Sequence, residues 1–299
     1  MTRESIDARR RTVLGLLGLA GAGFAAHAAG LKAPATAPAG WPVWAIRANG
    51  ATIYLLGETP PRESDWADAR IAALLGGCTA LWTETNQVYR EPQKVLLERY
   101  AVEAAHPLSS RLNADDRDRL RTAAATCKIE LADLEPYRPW CAAALLQDTY
   151  YSVSGAKGKS ADRVLATQAA LRIPVQSEFA AKDDVIGWFG SMTPMQDVEF
   201  LRYTLDEVLA APGKSALIYD EWAVGNPSRA TTEVERFTRL YPELATMLTT
   251  ERNDRWIPRF QSMLTTGSQT MVVVGLYHMV GPHGLLALAA RHGLSVRRI

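Results

Sequence analysis

Cysteine is scarce in this chain, and its spacing matches no metal or redox motif. The 299 residues include only 3 cysteines, Cys78, Cys127 and Cys141. The absence of a CxxC pair excludes a zinc ribbon and a thioredoxin-like centre. At most one disulfide is possible, and Cys127 with Cys141 is the pair to test. A test is needed because sequence alone does not place their Cα atoms within bridging range.

A large charge of either sign is also missing. The formal net charge is +1. Residues 1–28 carry four arginines against Glu4 and Asp7, a net of +2, so the rest of the chain has a net charge of −1. This near-neutral balance argues against nucleic acid or an anionic membrane surface as the principal partner. The near-half hydrophobic content is that of an ordinary folded protein.

The N-terminal segment has the pattern of an export signal. Arg10-Arg11-Thr12-Val13-Leu14 resembles a twin-arginine motif, an apolar run follows, and Ala26-His27-Ala28 offers small residues to a signal peptidase. We therefore expect a signal peptide over residues 1–28, an Ala/Pro-rich linker over 29–41 and a periplasmic protein with no stable membrane span. The alternative is an uncleaved anchor, although the run is short and rich in Gly and Ala for a bilayer span.

The remaining pattern predicts one mixed α/β domain over residues 42–299. Asn49-Gly50 favours a hairpin turn between two strands. A helix capped by Ser64 follows, then a strand over 80–84, a helical insertion and a strand over 173–178. A helical segment over 242–264, interrupted by a polar cluster at 251–255, precedes a strand over 270–274, a helix and a final strand. We expect a central mixed β-sheet flanked by helices.

Polar side chains stand where four of these strands end. They are Glu58, Glu84, Glu178 and His278. A polar group at the tip of an apolar strand is costly to bury unless it is paired, and ligands bind at strand ends in α/β folds. On local grounds, however, a histidine at such a turn is more often bonded to backbone than catalytic.

Arg252 and Asn253 allow two interpretations. They form part of a solvated helix face, or they orient a substrate carbonyl or carboxylate.

Several of these segments together resemble the TraB/GumN family, which is related to the TIKI metalloproteases and more distantly to the ChaN and erythromycin-esterase proteins. The resemblance covers nearly the whole chain from Trp44 onward. Its most specific part is the C-terminal quarter. The matching motifs are Leu81-Trp-Thr-Glu84, Ser160-Ala-Asp162 before Ile173-Pro-Val-Gln-Ser-Glu178, Arg252-Asn253-Asp-Arg-Trp256, and Val274-Gly275-Leu-Tyr-His278-Met-Val-Gly281.

The resemblance implies a TIKI-like fold and a metal-dependent hydrolase of the peptidase type. It implies His278, Glu84, Arg252 and Asn253 as catalytic residues, and Mn, Co or Zn held by His278, Glu84, Glu178 and Glu58. It also implies substrate contacts from Arg252, Asn253 and Tyr277, and structural turns at Gly57, Gly275 and Gly281.

One departure from the family pattern opens an alternative. Where the family has G-x-x-H, this chain has Gly57-Glu58-Thr59-Pro60. Proline neither ligates a metal nor transfers a proton. Either a carboxylate replaces the missing imidazole, or the chain is an inactive member, a pseudoenzyme, that binds a peptide, glycan or haem-like ligand in a retained pocket.

Overall fold

The computed structural model describes residues 40–210, 214–265 and 267–299. The signal peptide expected over residues 1–28 and residues 29–39 of the linker lie outside these ranges, so export and cleavage stay predictions. Within the described ranges, no helix combines the length and the apolar character that crossing a bilayer requires.

The strands form a six-stranded mixed sheet with the order β4-β3-β5-β2-β1-β6. β2 pairs antiparallel with β1, and β1 pairs antiparallel with β6. β5 runs parallel to both β2 and β3. The mixed α/β fold predicted from the sequence is therefore confirmed. The strands are β1 (Val43–Ala48), β2 (Ala51–Glu58), β3 (Ala80–Thr85), β4 (Val175–Phe179), β5 (Gln269–Gly275) and β6 (Ser295–Arg298).

The hairpin predicted at Asn49-Gly50 is present. Ala48 pairs with Ala51, which leaves a two-residue loop between the strands. The φ angles of Asn49 and Gly50 are 50° and 77°. Two positive φ angles are what a type I′ turn needs, and Asn-Gly adopts them at low cost.

Helices lie between the strands along the chain. They are α1 (Ala69–Gly76), α2 (Gln93–Tyr100), α3 (Ala114–Thr126), α4 (Leu131–Leu134), α5 (Pro139–Val153), α6 (Ala161–Ala169), α7 (Lys182–Gly190), α8 (Pro194–Val208), α9 (Lys214–Ala223), α10 (Ser228–Leu240), α11 (Pro242–Ala245), α12 (Glu251–Met263), α13 (Leu276–Met279) and α14 (Leu285–Arg291). A 3₁₀ turn at Leu108–Arg111 and a π-helical turn at Thr246–Thr250 complete the set.

Two details of the sequence prediction are wrong. Asp68, not Ser64, caps α1, because the Asp68 carboxylate accepts the backbone N–H of Ile71. The polar cluster at 251–255 does not interrupt a helix either. It forms the first turns of α12, which the π-helical turn joins to α11.

The described residues divide into two compact units. The sheet unit comprises the described parts of Ala20–Glu84, Lys157–Glu178 and Ala211–Ile299. Its apolar core covers both faces of the sheet, because alternate residues of a strand point to opposite faces. Leu55 of β2 packs with Trp222 and Trp256 on one face, and Leu56 packs with Ile71 and Leu165 on the other.

The helical unit comprises Thr85–Ala156 and Phe179–Ala210 within the described ranges. Its core contains stacked rings, with the Phe189 centroid 5.5 Å from that of Trp140 and 5.5 Å from that of Phe200. Arg138 donates to the Asp197 carboxylate at 2.9 Å. The helical insertion predicted between β3 and β4 is confirmed. The prediction of a single domain over 42–299 stays a prediction.

The three cysteines are free thiols buried in these cores. The Cys127 thiol donates to the Leu146 carbonyl oxygen at 3.4 Å. The disulfide considered between Cys127 and Cys141 is therefore not formed in this structure.

Candidate functional site

The start of α12 carries two polar residues into the interior of the sheet unit. Arg252 and Asn253 are both 0% exposed. The π-helical turn Thr246–Thr250 lies directly before them, and π-turns within helices are frequent at functional sites. The interpretation of Arg252 and Asn253 as a solvated helix face is therefore wrong.

The Arg252 guanidinium lies between two carboxylates that end neighbouring strands. Its Nη2 donates to Glu84 Oε2 at 2.7 Å and to Glu178 Oε2 at 2.6 Å, and its Nε donates to Glu178 Oε2 at 3.1 Å. Burial lowers the pKa of Arg252, but the attraction of the two carboxylates outweighs burial and raises it overall. Arg252 is thus a permanent buried cation.

Glu84 also holds the end of the neighbouring strand. Its second oxygen, Oε1, accepts the backbone N–H of Gly275, the last residue of β5. Both carboxylate oxygens of Glu84 are therefore bonded, one to backbone and one to Arg252. The parallel pairing of β3 with β5 brings these strand ends to the same edge.

His278 is neutral, and its partners identify the tautomer. Its Nε2 lies 3.1 Å from Arg252 Nη1, and its Nδ1 lies 2.7 Å from Asn253 Oδ1. Since a guanidinium only donates, Nε2 is the acceptor and Nδ1 carries the proton. Burial first, and then the charge of Arg252, lower the pKa of His278 to about 3.

Asn253 has an orientation fixed by backbone. Its Nδ2 donates to the carbonyl oxygens of His278 at 3.2 Å and His283 at 2.7 Å. The amide oxygen therefore faces the His278 ring and accepts the Nδ1 proton. In this arrangement the Nε2 lone pair, at which His278 would take up a proton from a substrate, faces the Arg252 guanidinium.

Glu58 belongs to a second, smaller polar group. Its Oε2 accepts the backbone N–H of Asp162 at the start of α6, and the Ser160 hydroxyl donates to the Asp162 carboxylate. Burial, and then repulsion from Asp162, raise the pKa of Glu58 well above its ordinary value. Sequence reasoning singled out Ser160 and Asp162 as part of a family motif, and their position at the start of α6, with Ser160 before its first residue and Asp162 in its first turn, was the available signal.

Two of the glycines expected at turns have clear steric reasons. A Cβ on Gly57 would lie 2.5 Å from Trp222 Cζ2 and 2.8 Å from Met279 Cγ. Gly281 has a φ of +83°, which L side chains rarely adopt. Tyr277 lies in the apolar core of the sheet unit, so its expected contact with substrate stays a prediction.

Three of the four expected metal ligands, His278, Glu84 and Glu178, come together around an arginine, whereas Glu58 lies in the second polar group. His278 Nε2 lies 3.8 Å from Glu84 Oε2, close enough in principle for one shared ion. Yet the oxygens that would face that ion, and Nε2 itself, all accept from Arg252. These residues therefore do not fit a divalent metal in this arrangement. Across residues 40–210, 214–265 and 267–299, no group of three or more His, Cys, Asp or Glu is arranged to hold a metal ion.

Comparison with known families gives one result. The model of the TraB/PrgY/gumN family matches residues 42–298, a range that contains the sheet strands and every residue of the site. No curated protein matches the sequence.

Proposed function

The chain belongs to the TraB/PrgY/gumN family, and we propose that it is a ligand-binding member whose polar centre works without a resident divalent metal. One observation carries the proposal. The Arg252 guanidinium takes the central position among Glu84, Glu178 and His278. The ligand classes expected from the sequence, a peptide, a glycan or a haem-like molecule, are retained in the proposal.

The charges support this interpretation. A divalent ion is coordinated by lone pairs of carboxylate oxygens and a neutral imidazole. Arg252 donates hydrogen bonds to the same lone pairs. Moving its guanidinium away would leave two buried carboxylates without a counter-charge in a low-dielectric interior. In addition, Pro60 stands where the family has a histidine, so one imidazole is missing as well.

The metal-dependent hydrolase is the competing candidate. The observation in its favour is the proximity of the His278 ring and the Glu84 carboxylate, 3.8 Å apart. In that candidate Arg252 would have to move aside, so that Glu84, Glu178 and His278 hold Mn, Co or Zn and the ion activates a water molecule.

Metal content separates the two candidates. The chain without residues 1–28, here called the mature chain, should be purified without chelators. Its content of Mn, Co and Zn should be measured by elemental mass spectrometry alongside a peptide-cleavage assay. We expect far less than one ion per chain and no cleavage. Arg252→Ala should bind about one Zn²⁺ per chain, because removing the guanidinium frees an imidazole and two carboxylates.

Two further variants control that gain. Arg255→Ala removes a half-exposed arginine one turn away, with 46% of its side chain exposed, and should stay free of metal. Arg252→Ala with His278→Ala should lose the acquired ion. Stoichiometric metal in the wild type, lost in His278→Ala together with peptide cleavage, would instead establish the hydrolase.

A further inference from the structure

Arg252, Glu84, Glu178 and His278 form what we call the arginine centre, in which one carboxylate oxygen has no donor among the described residues. Glu178 Oε2 accepts twice from Arg252. Glu178 Oε1 is buried and has no hydrogen-bond partner among the described residues, and only 3% of the side chain is exposed. A buried acceptor without a donor has lost its hydrogen bonds to water without replacement, and the loss is greater when the acceptor is charged. A ligand that supplies a donor here would offset that loss.

Arg255 lies over this oxygen without bonding to it. Its Nη2 is 3.6 Å from Glu178 Oε1, which is too long for a hydrogen bond. With 46% of the Arg255 side chain exposed, its N–H groups are accessible from solvent. Glu178 itself is on β4, which forms one edge of the sheet. A solvent-accessible donor and a buried acceptor are therefore adjacent at a sheet edge.

The local charges favour a neutral ligand group. Arg252 and Arg255 balance Glu84 and Glu178, and the His278 imidazole is neutral. A charged group would upset this balance inside a poorly solvated region.

The short separation also limits what that group is. It must accept from Arg255 and donate to Glu178 Oε1 across a gap of 3.6 Å. A hydroxyl does both with one oxygen atom. The N–H and C=O of one trans peptide bond point in opposite directions, so a single peptide group does not serve both residues at once.

A second polar side chain lies along the same strand. Gln176 is exposed and stands two residues before Glu178. Residues i and i+2 of a strand share a face, about 6.6 Å apart. Gln176 can therefore donate to and accept from a second hydroxyl of the same molecule.

We propose that Glu178 Oε1 and the Arg255 guanidinium form a subsite for a hydroxyl group of a neutral saccharide, with Gln176 beside it. The inference rests on the proposed function, since it assigns the ligand class to the same arginine centre.

Titration with neutral disaccharides tests the subsite. Maltose and cellobiose should be added to the mature chain and their binding followed by ligand-observed NMR, with acetamide as a primary-amide probe. We expect saturable binding of at least one disaccharide. Arg255→Met and Glu178→Gln should each weaken it about tenfold or more, because a hydrogen bond to a charged group contributes about 1.5–3 kcal/mol. Arg239→Met, which removes an exposed arginine of α10, should bind like the wild type.

Other results would contradict the proposed subsite. No binding of either disaccharide, or undiminished affinity in Arg255→Met, would overturn the subsite. Binding of acetamide alone would assign the subsite to a primary amide and likewise overturn it. Metal content measured on the same sample keeps the two proposals separate. A metal-free protein that binds neither disaccharide contradicts only this inference, whereas a stoichiometric resident metal contradicts the proposed function.

Discussion

Replacing Arg252 by methionine tests the arginine centre most directly. Methionine has a similar length and no charge, so the change removes the cation and leaves most of the volume filled. Glu84 and Glu178 then face each other with side chains that are only 6% and 3% exposed. Their shared counter-charge and three hydrogen bonds to carboxylate oxygens are lost.

The expected cost is large. Removing one partner of a buried ion pair destabilises a protein by about 3–5 kcal/mol, since the remaining charge is left without compensation. Native proteins unfold with free energies of about 5–15 kcal/mol. We therefore expect Arg252→Met to lose a substantial part of the total and to unfold roughly 10 °C below the wild type.

Urea unfolding followed by circular dichroism measures this loss. The midpoint should fall while the slope stays the same, because the variant exposes the same surface on unfolding. Arg255→Met is the matched control, and its loss should stay within about 1 kcal/mol because the Arg255 side chain is half-exposed and its 3.6 Å contact with Glu178 is too long for a hydrogen bond. Adding Glu178→Gln to Arg252→Met should restore part of the stability, since one of the two unpaired charges disappears.

The size of the loss gives the refuting result. A loss below about 1 kcal/mol, the value typical of an exposed ion pair, would show that Arg252 is not the counter-charge of this centre.

Three further changes test other parts of the structure. Gly57→Ala should lose about 1–3 kcal/mol because its Cβ would overlap Trp222, whereas Gly76→Ala, which meets nothing within 4 Å, should be neutral or slightly stabilising in thermal unfolding. The raised pKa of Glu58 means that the stability it contributes at acid pH is lost as pH rises. Glu58→Gln should therefore unfold at a higher temperature than the wild type above pH 7. A difference in unfolding temperature between the two that does not change with pH would contradict a raised pKa of Glu58. Replacing Arg10 and Arg11 by lysine should leave the protein in the cytoplasmic fraction, as immunoblotting of cell fractions would detect, while equal periplasmic recovery would count against twin-arginine export.

Sequence reasoning predicted the strands better than the contacts between their ends. Asn49-Gly50 and the apolar runs before Glu84 and Glu178 specify local backbone, because turn chemistry and apolar strand runs act over a few residues. The polar tips were also identified as the candidate site. The partner of each tip was not predictable, because Arg252 reaches Glu178 from 74 residues away in the chain.

The burial of Arg252 was likewise not predictable from the sequence around it. A cluster of charged residues on a helix usually faces solvent, and no feature of the five residues 251–255 indicates that two of them are buried. Only the sheet beside α12, with two carboxylates at its edge, makes burial of the guanidinium favourable. The engagement of both His278 nitrogens likewise follows from tertiary packing, which a sequence motif does not encode.

The three buried thiols have a consequence for the chemical stability of the folded protein. Burial raises the pKa of Cys78 and of Cys127 to about 11, and it raises that of Cys141 as well. Since the thiolate is the reactive form, these side chains are poor substrates for oxidation or disulfide exchange. The native state is therefore chemically the same in a reducing and in an oxidising compartment.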